Sequence, residues 1–378
     1  MRIVINAVTA KKNAGGAFQI SYNFILESLS HPEVEWYWWV SSDIDEEIGS
    51  RFHEMRGTRY FAFPNQPDFK HSYLKVRKQL VTLEKEICPD VIYSITAPSF
   101  FSFSSIEVMR YTKPWVTHPN KYVEFLMTRK KRMEIALQKY LMKKARYFIT
   151  QSQTCKDGIV RITGVDSSHV KVISNVLPAA YRNVERGHLA SDDKWINVAC
   201  IGNPFPHKDF DILPDVIKEL SSCGICSVRF HVTIPKETDV WHRIESKIAE
   251  YGVPNNVVNY GRCSQKDLIK VYRKCHLCFL PTLLEVFSAS AIEAMYFKLP
   301  TVATEFSFNS EVFEDACLYF HPHDAKDGAD KLVMLINNKE LQEELKRKME
   351  SRLARFSDYD NHFKETKEFL SQVALKKI

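Results

Sequence analysis

The chain has 378 residues, 45% hydrophobic and 26% charged, with a net charge of +6. These values describe a soluble globular protein of two domains, three at most, and no apolar run reaches the ~18 to 20 residues that would span a bilayer. The mild positive balance suits an anionic membrane or an anionic substrate and does not by itself indicate nucleic acid, which is not expected as a partner.

In chain order, the first strand is read over 2–8. The opening MRIVINAVTAKKNAGG has too short an apolar run for a signal peptide, with lysines where a cleavage site would stand, so a cytoplasmic location is expected. A polar loop, 9–16, ends in Gly15–Gly16, and a helix follows over about 17–30. Then come a very aromatic strand (EWYWWV, 35–40), helix 43–55, strand 59–63, helix 69–87, strands 90–94 and 115–118, a long helix over about 122–145, strand 146–150, helix 154–162 and strand 170–174. From 176 to 194 the periodicity is lost and Pro, Asn, Gly and Ser accumulate, as in a linker. A second alternation runs from strand 195–201 to helix 325–337, and helices over about 339–355 and 360–374 close the chain. Strands alternating with helices give parallel sheets covered on both faces, so the fold class is α/β, two doubly wound domains in tandem. In such sheets ligands bind at the carboxyl ends of strands, and a cleft between two domains suits a two-part substrate.

The nine cysteines are odd in number, and Cys200, Cys278 and Cys317 sit in strand-like or helix-like runs, as reduced core thiols do. The CxxC pairs Cys223–Cys226 and Cys275–Cys278 lie far apart, so no metal site is expected. Asp43-Ile-Asp45 and Asp209-Phe-Asp211 have the spacing that holds a divalent metal in some sugar-nucleotide enzymes. Both fall where helices begin and are read as caps.

The stretch LPTLLEVFSASAIEAMYFKLP, 280–300, carries the densest chemistry. A buried strand ends near Pro281, and a helix over 288–298 has Glu293 as its one charged residue before Lys298. A carboxylate in so apolar a helix needs a partner. Glu285 precedes it by eight positions, and Ser288, Ala289 and Ser290 open a helix end that favours an anion. On these residues alone, a salt-bridged acid in an ordinary strand–helix unit serves equally well. Gly15–Gly16 allows close backbone approach to a phosphate or an ordinary turn. His118, at the end of WVTH, faces a ligand or is a hydrogen-bonded structural histidine. Lys208, in IGNPFPHKDF, neutralises a diphosphate or is a solvated loop lysine. Residues 129–146 carry eight cations against the single acid Glu134, with Met133, Leu137, Tyr140 and Leu141 opposite as an apolar face assigned to the core. The basic face, with the SFFSFSS loop at 99–105, is the candidate for peripheral contact with an anionic membrane; a solvated face and an inward-packed loop are the alternatives.

The ordered set of these features resembles the retaining GT-B glycosyltransferases of glycosyltransferase family 4. The resemblance rests on the E-x7-E motif Glu285…Glu293, the Gly15–Gly16 loop, the Ile201-Gly202 loop ending at Lys208-Asp209, Asn259-Tyr260-Gly261-Arg262, and Leu299-Pro300 leading to Glu311-Val312, and it covers nearly the whole chain. It implies two Rossmann-like domains facing across a cleft: an acceptor-binding domain over 1–178, completed by the last helix at about 357–378, and a nucleotide-sugar-binding domain over 190–356. It implies a hexosyl transfer from a UDP- or GDP-sugar to a glycan or polyprenyl-linked acceptor, without a metal or other cofactor, at the inner face of the cytoplasmic membrane. Glu293 would hold the ribose and Glu285 the transferred sugar. His118 would lie near sugar and acceptor, and Arg262 near the base. Gly15, Gly16, Lys208 and the N–H groups of Phe287, Ser288 and Ala289 would hold the diphosphate.

Four positions depart from the family pattern. Asn203 and Pro204 stand where an arginine is common, placing more of the diphosphate's charge on Lys208. Ser288 replaces a glycine, Pro119 an acid, and Val176 the glycine of an Asn-Gly pair. A non-catalytic GT-B-like glycan-binding or scaffold protein is the competing reading.

Overall fold

The computed structural model describes residues 1–12, 16–64, 72–177, 181, 184–186, 194–356 and 358–375. The chain divides into two compact units: Met1–His118, Arg129–Ile173 and Asp360–Ile378 form the first, and Pro119–Thr128 with Ser174–Tyr359 the second.

The first unit contains β1 (Arg2–Ala7), α1 (Gly16–Ser28), β2 (Glu35–Ser41), α2 (Ser42–Ile48), β3 (Tyr60–Phe63), α3 (Tyr73–Ile87), β4 (Val91–Ser94), β5 (Glu107–Arg110), α4 (Pro114–Thr117), α5 (Arg129–Met142), β6 (Tyr147–Thr150), α6 (Gln153–Thr163) and β7 (Val170–Val172). Its parallel sheet has the order β3-β2-β1-β4-β5-β6-β7. The strands are short and apolar on both faces because helices cover both. Trp36, Trp38 and Val40 of β2 enter one core, and Trp39 enters another.

The second unit contains β8 (Ile196–Cys200), α7 (Leu213–Ser222), β9 (Val228–Val232), α8 (Asp239–Glu250), β10 (Val257–Asn259), α9 (Gln265–Tyr272), β11 (Leu277–Leu280), α10 (Ala289–Tyr296), β12 (Thr301–Thr304), α11 (Ser307–Phe313), β13 (Leu318–Phe320), α12 (Ala325–Asn337) and α13 (Lys339–Leu353). Its parallel order is β10-β9-β8-β11-β12-β13. The last helix, α14 (Tyr359–Ala374), belongs to the first unit, where Phe363, Phe369, Leu370 and Val373 join the core around Phe24, Trp36 and Tyr93. Each sheet starts in its middle, winds outward, then returns to build the other side. The reversal falls between β1 and β4 in one unit and between β8 and β11 in the other. Loops leaving such a pair diverge and leave a crevice at the strand ends.

Several local expectations are corrected. Residues 115–118 are not a strand: Pro114 opens the helical turn α4, its fixed φ and missing N–H suiting a first helical position. The strand of that region is β5, EVMR, whose terminal charges disguise it. The long helix expected over 122–145 is a 3₁₀ stretch, Lys121–Leu126, followed by α5. The acidic pairs are not side-chain caps. Ser41 caps α2, while Asp45 holds Arg56 and Tyr60. Asp211 holds Arg243, and Asp209 is bound to His323. Among the described residues no three metal-ligating side chains cluster, and no helix is long and apolar enough to cross a membrane.

The surface expectations change most. Phe101 is buried in the 99–105 loop, stacked on Tyr73, and Phe103 lies against Trp39. Glu84 fixes this inward course by accepting the N–H groups of Ser104 and Ser105, each at 2.6 Å. The loop therefore presents no free aromatic cluster. Conversely, of the apolar face assigned to the core on α5 only Leu141 is buried; Met133 is 74% exposed, Leu137 47% and Tyr140 63%. The buried side of α5 is Ile135, Gln138, Leu141 and Met142.

Candidate functional site

The candidate site of the second unit lies on the loops that leave β8 and β11 at the switch point of the sheet. The first runs through Pro206, which opens a 3₁₀ turn ending at Lys208. Asp209 closes the turn at φ 53°. This left-handed conformation is one that Asp tolerates better than most residues. Its buried carboxylate lies 2.9 Å from His323 Nδ1; burial raises its pKa and His323 partly offsets the rise. The Leu283 N–H, in the loop from β11, donates to the His207 carbonyl at 2.8 Å, and the Asn120 side chain donates to the Leu283 carbonyl at 2.8 Å. The two loops are thus pinned together two residues before Glu285. The result is an ion pair between Lys208 Nζ and Glu285 Oε2, both mostly shielded from solvent.

Glu293 lies on α10 with 7% of its surface exposed. Tyr272 OH donates to Oε2 at 2.7 Å and Tyr181 OH to Oε1 at 3.0 Å. Burial raises its pKa, while the two tyrosines and then the charge of Lys208 work in the opposite direction. The partner that the sequence demands for this acid is therefore a pair of neutral hydroxyls. Tyr296, from the same helix, donates to the carbonyls of Tyr181 and Val184 at 2.6 and 2.9 Å, so α10 also grips the linker. Neither tyrosine carries a local sequence signal for this role.

The start of α10 differs from the starts of α6, α8, α9, α12 and α13. Those are capped by the side chains of Ser152, Thr238, Ser264, Asp324 and Asn338. Ser288 makes no such bond. Phe287 is buried edge-on against Phe356, Ser288 is buried, and Ala289 is exposed. Ser290 instead donates to the Ile201 carbonyl at 3.0 Å, joining α10 to the end of β8. Asn203 is exposed in the β8 loop, its carbonyl accepting from Phe205 N. Arg262 follows β10 at the same edge of the sheet, two strands from β8. It is largely solvent-exposed and lies 3.8 Å from Glu237. The geometry thus joins Lys208, Glu285, Glu293 and the start of α10, and leaves Arg262 and Asn203 at the rim.

His118 and the glycine loop belong to the first unit. Gly15 lies outside the described residues, and Gly16 is the first residue of α1. His118 follows α4, its Nδ1 2.8 Å from Thr117 Oγ1. Its turn is clamped by α6: Arg161 donates to the Thr117 carbonyl at 2.6 Å. Gly158 stands where an added Cβ would meet that oxygen at 2.4 Å.

With this architecture in place, the fold is GT-B: the Anabaena protein HepE, solved in complex with UDP, superposes with a TM-score of 0.73 over 98% of this chain and 100% of its own at 16% identity. The lipopolysaccharide outer core galactosyltransferase WaaB does so at 0.66 over 100% of each chain at 14% identity. Residues 182–352 match the family model described as "Glycosyl transferases group 1", and residues 33–180 match "Glycosyltransferase Family 4"; with the fold, these matches support a GT-B glycosyltransferase. Among curated proteins, the O-antigen chain mannosyltransferase RfbU of Salmonella typhimurium is 23% identical over 198 residues, 50% of this chain and 51% of that one. Mannosylfructose-phosphate synthase of Agrobacterium fabrum is 26% identical over 138 residues, 34% and 30% of the two chains. The chain therefore spans no more than about half the length of these two relatives.

Proposed function

We propose that the chain is a retaining, metal-independent glycosyltransferase that moves a hexose from a UDP- or GDP-sugar to a glycan or polyprenyl-linked acceptor in cell-surface polysaccharide synthesis at the cytoplasmic side of the membrane. The observation that carries the reading is the Lys208–Glu285 pair at the switch point of the second sheet, beside the uncapped start of α10. The ammonium of Lys208 neutralises the diphosphate as it leaves, together with N–H groups near Phe287, Ser288 and Ala289. Glu285 then takes hydroxyls of the sugar and stabilises the positive charge that develops at its anomeric carbon. Retention follows if the acceptor attacks from the leaving-group side and the phosphate assists removal of its proton. Glu293 serves the ribose by exchanging one tyrosine hydroxyl for those of the nucleotide. His118 would lie near sugar and acceptor, and Arg262 near the base.

Two measurements test this reading. Calorimetric titration with UDP and with GDP is expected to show binding to one of them, and a donor sugar nucleotide is expected to release its nucleoside diphosphate in the presence of EDTA. No binding of either nucleotide at high micromolar concentration would overturn the proposal in favour of a non-catalytic GT-B-like protein that holds a glycan or supports a partner. Activity abolished by EDTA and restored by a divalent cation would remove the metal-independent step.

A further inference from the structure

We propose that α5 and the start of α3 form one face of the first unit that lies flat on an anionic bilayer, with Met133, Leu137 and Tyr140 entering the headgroup boundary. The three residues stand at i, i+4 and i+7, so they share one side of the helix, opposite the buried Ile135, Gln138 and Met142. At 1.5 Å per residue the stripe is about 10 Å long. Large apolar side chains scatter singly over a normal surface; three in line on one helix do not. Around them stand the exposed cations Arg129, Lys130, Arg132, Lys139, Lys143 and Lys144, with Glu134 as the sole acid of the helix. An apolar ridge framed by lysine and arginine is the pattern of a helix in the interfacial plane. Their long stems reach phosphates while their methylenes rest against acyl chains. A second copy of this chain would bring the same cations against themselves, so a negatively charged sheet of lipid is the occupant that the charge selects.

The face continues beyond α5. Lys144 lies over the Tyr140 ring at 4.9 Å and donates to Ser102 Oγ at 3.1 Å. The neighbouring Phe101 stacks on Tyr73 at 5.5 Å, and Tyr73 OH donates to the Phe100 carbonyl. Tyr73 opens α3, where Leu74 is 74% exposed beside the exposed Lys75, Arg77 and Lys78. The 99–105 loop is therefore the mortar between two basic, apolar-tipped helix ends, its Phe101 and Phe103 packed against Tyr73 and Trp39.

The surface rests on the proposed reading only in giving a polysaccharide-building transferase its membrane, and its test uses no nucleotide. The full chain is spun with vesicles of phosphatidylglycerol and, separately, of phosphatidylcholine. It is expected to sediment with the first at least about tenfold more strongly, and to be released as salt is raised from about 0.05 to 0.5 M. Met133→Ser/Leu137→Ser/Tyr140→Ser is expected to lower the partition at least about tenfold at constant charge. Lys139→Gln/Lys143→Gln/Lys144→Gln is expected to erase most of the lipid preference. Thermal unfolding of each variant reports whether it is folded. Wild-type protein that stays in the supernatant would overturn the proposal, as would sedimentation unchanged in both variants. A dimer that dissociates in the serine variant, without vesicle binding by the wild type, would reassign the face to self-association. Vesicle binding without nucleotide binding would leave this surface standing and defeat the transferase reading alone.

Discussion

The two units bury carboxylates with different partners. In the first, Glu84 accepts two main-chain N–H groups, and Glu107 accepts the hydroxyls of Ser94 and Ser99 at 2.5 Å each. Both acids fix the 99–105 loop through neutral donors. In the second, Glu285 faces the cation Lys208, and Glu293 sits within that cation's field between two tyrosines. A loop anchored by neutral donors is finished as it stands. An ion pair at the carboxyl end of a sheet, beside its switch point, is a charge separation whose carboxylate and ammonium can take opposite parts of a polar ligand.

This contrast can be broken most decisively at the ion pair. Glu285→Ala is expected to lower sugar transfer by about 10³-fold while UDP or GDP affinity stays within about threefold, whereas Lys208→Ala loses both; calorimetry and a coupled diphosphate-release assay separate the two. Equal loss of binding in both would show the pair to be structural, like the acids of the first unit. Next in size is Glu293→Ala, which orphans two buried hydroxyls and opens a cavity, at a cost of about 3 to 4 kcal/mol in urea unfolding. Tyr272→Phe restores a little of that loss in the Glu293→Ala background, because one orphan is gone.

Glu107 sharpens the other half of the comparison. Burial pushes its pKa up to about 7, against the hydrogen bonds from the two serines. Because the folded value lies above the unfolded value, its stabilising contribution is present in full below about pH 4.5 and lost as pH rises through about 7. Glu107→Gln cannot titrate, so the stability difference between wild type and variant should change by about 3 kcal/mol from pH 4 to pH 8 in urea titrations. The smallest expected effect is at Arg262. Its weak, exposed pairing predicts that Arg262→Ala changes stability by less than about 0.5 kcal/mol. If it meets the nucleotide base, UDP or GDP binding weakens about five- to tenfold; unchanged affinity removes it from the donor site.

The architecture was legible because alternating strand and helix periodicity survives along nearly the whole chain, and because Glu293 is too conspicuous in an apolar helix to be surface. The register of that periodicity was less so. Nothing local separates WVTH as a strand from the turn Pro114 actually starts, and β5 is too short and too charged at its ends to announce itself. The pairing of Lys208 with Glu285 spans 77 positions, and Tyr181 and Tyr272 are aromatic residues like many others, so their meeting is a property of the sheet order. The open face of α5 was misread for a related reason. Helical periodicity shows that an apolar stripe exists, but only tertiary packing decides which of two stripes, the Met133 line or the Ile135 line, is turned toward the sheet.

The return of α14 sets an order of events during synthesis. Phe363 stacks on His31 and lies against Phe24 and Trp36, residues made well before α14. The first unit, most of which is made before the second, is therefore the later of the two to close its core. It must wait, with Phe24, Trp36 and Tyr93 incompletely covered, while the second unit is synthesised and has the opportunity to fold on its own. Truncation before residue 359 should accordingly harm the half of the protein farthest from the cut in sequence, and chaperone demand should peak on nascent chains that already carry a finished second unit.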